Sequence, residues 1–239
     1  MKNKLLLIIL LSLFTSGLFA KQRLLIFSKT VGWHHTSIPA GITAIIKLGQ
    51  ENNFDVDTTI DARKFTYANL KQYAAVIFLN TTGDVLDIAQ QAEFEKYIKA
   101  GGGFVGVHSA TDTEYDWPWY GNLVGAYFKS HPAQQTAVFH VVDRDFIATK
   151  HLPAEWKRFD ELYNFKWISP DIHVLITIDE KTYTGGTNGD NHPMSWYHDY
   201  DGGRSFYTAL GHTDESYVDP LYLKHLLGGI EYAMGNAGK

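Results

Sequence analysis

Residues 23–28 (RLLIFS) form an apolar run of strand length, and Ser37 with Pro39 then opens a segment in which Ile38, Ile42, Ile45 and Ile46 recur at helical spacing. That spacing predicts a helix with one buried stripe, entered through a proline in its first turn. Residues 54–59 read as a second strand, 66–72 as a short helix and 75–80 (AVIFLN) as a third strand. Asp87 is placed to cap a helix running to Ala100, with Ile88, Phe94 and Ile98 turned inward. Gly101, Gly102 and Gly103 end that helix, and residues 104–107 form a fourth strand. Strands alternating with helices of this length predict a parallel sheet with right-handed crossovers.

Beyond residue 130 the pattern turns to strands. Residues 137–142, 161–167, 173–177, 193–198 and 204–210 all read that way, with Asp201, Gly202 and Gly203 as a hairpin turn between the last two. Asp219 and Pro220 start a final helix whose apolar face carries Leu223, Leu226, Leu227 and Ile230. The expected fold is one α/β domain over residues 21–239. It has three layers, a mostly parallel sheet with helices on both faces and added antiparallel strands in the C-terminal half.

The first twenty residues stand outside that pattern. Lys2 and Lys4 precede an apolar run over residues 5–14, and Thr15, Ser16 and Gly17 lead to Ala20, the order of a secretory signal peptide cleaved after residue 20. The apolar run is too short to span a bilayer. The processed chain is therefore expected in the periplasm or outside the cell, with no stable membrane span.

Composition narrows the function. With 45% hydrophobic and 20% charged residues the chain is neither disordered nor a coiled coil. A net charge of -5 gives no basic footprint for a phosphate backbone, which argues against nucleic acid as a partner. The chain has no Cys, which excludes disulfides, thiolate metal ligands and thiol nucleophiles. An exported fold without disulfides must rest on its core.

The chemistry lies in the histidines. In an open parallel sheet, ligands bind beyond the carboxyl ends of the strands. After the first strand come Gly32, Trp33, His34 and His35; after the fourth come His108, Ser109, Ala110, Thr111 and Asp112; after the strand ending at Leu210 come Gly211, His212 and Thr213. Three strands thus deliver histidine to one edge. A nucleophile elbow needs small residues two before and two after its central residue. In GGGFVGVHSA, Gly106 and Ala110 satisfy that rule around His108, whereas Val107 and Thr111 fail it around Ser109.

Taken with these segments, GAYFKSHP around His131, DELY at residues 160–163 and PMSWYHDYDGGRSFYTALGHT make the chain resemble the trehalose-utilisation, or ThuA-like, proteins over essentially the whole of its length after residue 20. The resemblance implies a fold similar to class I glutamine amidotransferases, a flavodoxin-like arrangement. It also implies a sugar-related substrate. In the amidotransferase pattern the elbow holds a Cys and a His follows a late strand; here His108 replaces the first and His212 falls at the second. Without Cys, thiol glutaminase chemistry does not carry over.

Neutral imidazoles suit a divalent metal, zinc first, and a catalytic zinc site uses three protein ligands. His34, His108 and His212 are the expected metal ligands, with His35, His131 and Glu161 as alternates or supporting partners. A metal-free version uses His108 and His212 as acid–base groups with Glu161 or Asp112 orienting them. The segment TDTEYDWPWY over residues 111–120 mixes carboxylates with flat aromatic faces, as a carbohydrate crevice requires. Trp33, His35, Asp112, Trp117, Trp119 and His131 are thus the expected substrate contacts. The expected function is an exported carbohydrate-processing enzyme, a hydrolase, lyase or isomerase acting on a glycoside or modified sugar; a non-catalytic carbohydrate-binding protein on the same shell is the alternative. N-terminal sequencing of the protein from its native host is expected to begin at or near Lys21, and a retained Met1 in a cytoplasmic fraction would count against export.

Overall fold

The computed structural model describes residues 21–236, so the proposed leader over residues 1–20 lies outside the described residues. Eleven strands and five α-helices follow in order: β1 (Gln22–Phe27), α1 (Ile38–Glu51), β2 (Phe54–Thr59), α2 (Tyr67–Leu70), β3 (Ala75–Leu79), α3 (Ile88–Lys99), β4 (Gly103–Val107), α4 (Pro118–Val124), β5 (Ala126–Ser130), β6 (Gln135–Val141), β7 (Glu155–Asp160), β8 (Asn164–Ile168), β9 (His173–Ile178), β10 (Pro193–Tyr200), β11 (Gly203–Thr208) and α5 (Pro220–Ala233). Among the described residues no helix is long and apolar enough to cross a membrane.

Nine strands form one sheet in the order β2-β1-β3-β4-β11-β10-β9-β6-β7, and β5 pairs with β8 alone. From β2 to β11 every pairing is parallel. From β11 to β7 every pairing is antiparallel. β3 and β4 are buried along their whole length, as strands covered on both faces must be. Phe78, Phe94 and Phe104 meet around Tyr120 in that core, with ring centroids 5.4 to 6.3 Å apart.

Local signals explain most boundaries. Asp87 and Gln90 form a reciprocal capping box at α3, with Oδ1 of Asp87 accepting from the Gln90 N–H at 2.9 Å and Gln90 Oε1 from the Asp87 N–H at 3.0 Å. Ile88, expected inward, is 85% exposed, because the cap fixes it on the outer side of the first turn. Pro39 starts α1 as predicted, but the Ser37 hydroxyl makes no cap and points instead toward the Gly211 carbonyl, 3.5 Å away.

Two corrections matter for function. The strand expected over residues 161–167 begins only at Asn164, as β8, and Glu161 sits in the loop that joins it to β7, a strand that was not foreseen. Strand β7 was hidden because its inward positions include Arg158 and Asp160, so it shows no apolar alternation. Strand β5 was also unforeseen; it crosses only to β8.

His225 is fully buried in α5. Burial lowers its pKa from 6.5 to about 3, even though the Ala148 carbonyl accepts a hydrogen bond from Nδ1 at 2.8 Å. A histidine held neutral in the fold contributes stability that is complete above pH 6.5 and is lost as pH falls toward about 3. The unfolding free energy is therefore expected to fall on acidification by up to about 1.4 kcal/mol per pH unit from this residue. Urea titrations between pH 7 and 4.5 should show a shallower decline in His225→Gln; an identical slope would remove His225 from the account.

Candidate functional site

At the carboxyl edge of the sheet, the loops after β1, β4, β7 and β11 converge on one point. His108 leads out of β4 in the left-handed region, φ 51°, and a 3₁₀ turn over His108–Asp112 follows at once. That sharp turn is the elbow the flanking small residues predict. A Cβ on Gly106 would stand 2.9 Å from the Tyr207 ring and 3.2 Å from the Ala110 Cβ. The side chain of His108 is thereby thrust up from the floor of the edge, fully buried.

Around it three atoms form a near-equilateral triangle. His108 Nε2 lies 3.3 Å from Glu161 Oε2, His212 Nδ1 lies 3.2 Å from the same oxygen, and the two ring nitrogens are 3.1 Å apart. A ring nitrogen of His35 completes a group of four donors, all within 4.8 Å of one another. The His35 ring stands edge-on to both His108 and His212, with centroids 4.9 and 5.2 Å away.

Hydrogen bonds behind the cluster orient it. His108 Nδ1 donates to the Ala209 carbonyl at 2.8 Å, which leaves Nε2 as the nitrogen facing Glu161 and His212. The Ser109 hydroxyl lies 3.4 Å from His35 Nδ1. Gln134 holds the far nitrogen of His212, Nε2, at 2.8 Å. Tyr163 lies against the His108 ring at 4.3 Å.

The electrostatics favour an anion at the centre of the cluster. Burial pushes the Glu161 carboxyl up, but the His108 and His212 ring nitrogens beside it outweigh that and hold the group well below the usual carboxylate range. Burial, reinforced by the neighbouring His108 and His212, lowers His35 to about 3. His212 goes the other way: burial lowers it, yet the hydrogen bond and charge of Glu161 leave it raised.

Above the cluster opens a cavity of about 490 Å³, walled by Trp33, Phe128 and Tyr163 and by the polar groups of Thr36, Asp112, His131 and Gln134. Burial raises the Asp112 carboxyl, which accepts from the Tyr115 hydroxyl at 2.6 Å. His131 Nδ1 reaches the second Glu161 oxygen at 3.3 Å. Among the described residues no Lys or Arg lines this cavity.

Of the residues expected from sequence, His108, His212, Glu161, His35, Trp33, Asp112 and His131 meet here. His34 does not: it is exposed and turns to Thr30, 3.1 Å away. Its neighbour His35 takes the inward place, because adjacent side chains of a non-helical segment leave on opposite sides. Trp117 and Trp119 are also elsewhere. They stack on each other at 5.2 Å and donate to Glu95 and Asp201, since α4 docks them on α3 and on the β10–β11 hairpin. Sequence reading missed Phe128, Gln134 and Tyr163. Tyr163 lies in the quoted DELY and Phe128 in GAYFKSHP, but Gln134 carries no signal of its own.

The family model described as trehalose utilisation, ThuA, matches residues 23–233. A ThuA-like protein from Bacteroides uniformis superposes with a TM-score of 0.78 at 26% identity, over 89% of this chain and 91% of that one. A ThuA-like protein from Parabacteroides merdae gives 0.71 at 23% identity, over 92% of each chain. A β-galactosidase from Bacillus circulans sp. alkalophilus shares the fold at a TM-score of 0.57 and 12% identity, over 90% of this chain and 31% of that one. No curated protein matches the chain.

If the elbow is as tight as these contacts make it, Gly106→Ala should destabilise the protein by about 1–3 kcal/mol through overpacking against Tyr207. Equilibrium unfolding in urea measures this, and an unchanged midpoint would mean that the turn has slack.

Proposed function

Because the chain belongs to the trehalose-utilisation (ThuA) family, we propose that it is an exported, sugar-directed enzyme whose centre is a divalent metal, zinc first, held by His108, Glu161 and His212, with the fourth position, beside His35, left for substrate. The family itself indicates a sugar-related role. The observation that carries the finer reading is the triangle of donor atoms at 3.1, 3.2 and 3.3 Å. A tetrahedral zinc with bonds of about 2.0–2.1 Å to nitrogen and oxygen separates its ligand atoms by about 3.3 Å. Imidazole and carboxylate donors with hydrogen-bonded far sides are the set such an ion takes.

A metal in this place supplies Lewis acidity toward a sugar oxygen. The chain's own groups do the rest. Trp33, 71% exposed at the mouth, offers a flat face for a pyranose ring. Asp112 and Gln134 supply acceptors and donors for hydroxyls. With two carboxylates and no Lys or Arg among the described residues of its wall, the cavity favours a neutral sugar over a phosphorylated one. His131, beside Glu161 and 43% exposed, is the proton carrier closest to incoming substrate. The reaction is hydrolysis, elimination or isomerisation at a glycoside or modified sugar. A metal-free acid–base site is the second reading, favoured by the direct contacts of Glu161 with both His108 and His212.

Metal analysis of protein purified without a His tag is expected to find one divalent ion per chain. His108→Ala should lose it and His34→Ala should keep it. On a panel of neutral disaccharides and their oxidised derivatives, Trp33→Ala should raise KM severalfold with kcat little changed. A metal-free wild type with turnover on the panel decides for acid–base chemistry. Sugar binding with neither metal nor turnover decides for a non-catalytic carbohydrate-binding protein.

A further inference from the structure

Next to Glu161 in the chain, Asp160 points away from the cavity and is sealed from solvent. Its two oxygens are fully engaged. Oδ1 accepts from the backbone N–H of Glu161 at 2.9 Å and of His212 at 3.2 Å. Oδ2 accepts from the Gly211 N–H at 3.2 Å, from Arg158 Nη2 at 3.0 Å and from the Ser216 hydroxyl at 3.4 Å. Arg158 in turn donates to Ser216 at 2.7 Å and to Asp219 at 3.4 Å, with its guanidinium 4.6 Å from the Trp156 ring. The corner it grips is narrow: Gly211 has φ 108°, and a Cβ there would meet the Tyr222 hydroxyl at 2.4 Å.

We infer that Asp160 is the positioning residue of the site, a single carboxylate that ties the backbone of Glu161 to that of His212 and so sets the spacing of their donor atoms. The inference rests on the proposed metal reading only for its first readout. Asp160 touches neither the cavity nor the cluster side chains; it acts through two peptide groups from loops that meet only in the fold. An amide in its place cannot do the same work. Whichever way the side chain turned in Asp160→Asn, its NH₂ would face either the N–H groups of Glu161 and His212 or those of Gly211 and Arg158, and one side of the tie would be lost.

The test compares wild type with Asp160→Asn, with Ser216→Ala and with Ile230→Val, a remote core variant that lowers stability without touching the network. Zinc affinity by competition titration is expected to fall by about 10–100-fold in Asp160→Asn, the usual loss for a partner behind a ligand. Visible spectra of the Co²⁺-loaded proteins should change with it, while Ile230→Val keeps the wild-type affinity and spectrum. Should Asp160→Asn fail to fold, Ser216→Ala carries the test with a severalfold loss of affinity. Wild-type affinity and spectrum in the variant that is read would overturn the inference, as would an equal loss in Ile230→Val. If wild type binds no metal, the metal reading fails by itself and the tie is judged in metal-free protein. The nuclear Overhauser contact between the His108 and His212 rings must then be present in wild type and absent in Asp160→Asn; its persistence would overturn the inference.

Discussion

The site exists because the antiparallel half of the sheet curls back on the parallel half. Between β11 and β7 lie β10, β9 and β6, and four strand spacings in a flat sheet would hold their ends roughly 19 Å apart. Yet Glu161, just after β7, touches His212, four residues after β11, at 3.2 Å. The ladder shows how the gap closes. β6 is in register with β9 only at Phe139, His140 and Val141, but with β7 from Gln135 to His140. The first half of β6 thus carries β7 past the end of β9, where the twist natural to a two-stranded ribbon brings it round over the edge. Gln134, at the start of that overhang, reaches His212 from the same side.

A curl of this kind needs a latch, and the latch here is ionic. Burying an Asp and an Arg is expensive unless their remaining donors and acceptors are met. Asp160 meets five donors, while Arg158 has Asp160, Asp219, Ser216 and two aromatic faces, with its Nε left without a partner. The same pair that hides β7 from an apolar pattern is what keeps its end in place. On the other side of the site, His108 needs no such latch. Its left-handed turn is backed by the fully buried β4 and by Tyr207, whose hydroxyl donates to the His108 carbonyl at 2.7 Å.

Between these two supports the cluster has a simple electrostatic logic. One carboxylate held ionised, one ring held neutral by burial and one ring biased toward its proton by Glu161 are gathered at the base of an open, aromatic-walled cavity. A family with a sugar-related role thus presents, in this chain, an aromatic wall above a polar floor. The order matches the proposed chemistry, in which rings stack at the mouth and reacting oxygens sit deep.

Sequence by itself determined whatever depends on neighbours along the chain. The alternation of apolar runs and helical stripes placed β1 to β4 with α1 and α3, and the spacing of Gly106 and Ala110 around residue 108 located the elbow and its imidazole, because a tight turn excludes bulky side chains at those offsets. The histidine after β11 was legible for a similar reason, as it follows a strand at the ligand-binding edge. Only the tertiary structure decided that His35 and not His34 turns inward, since two adjacent loop residues carry the same local signal and differ only in which rings they meet. It also decided that Trp117 and Trp119 serve α4 packing and not the cavity, because an aromatic residue reads the same whether it faces a sugar or a neighbouring helix. Above all it decided the placement of Glu161. That placement depends on a strand whose inward residues are charged and find their partners in Gly211, His212, Ser216 and Asp219, more than fifty residues away, beyond the reach of any local pattern.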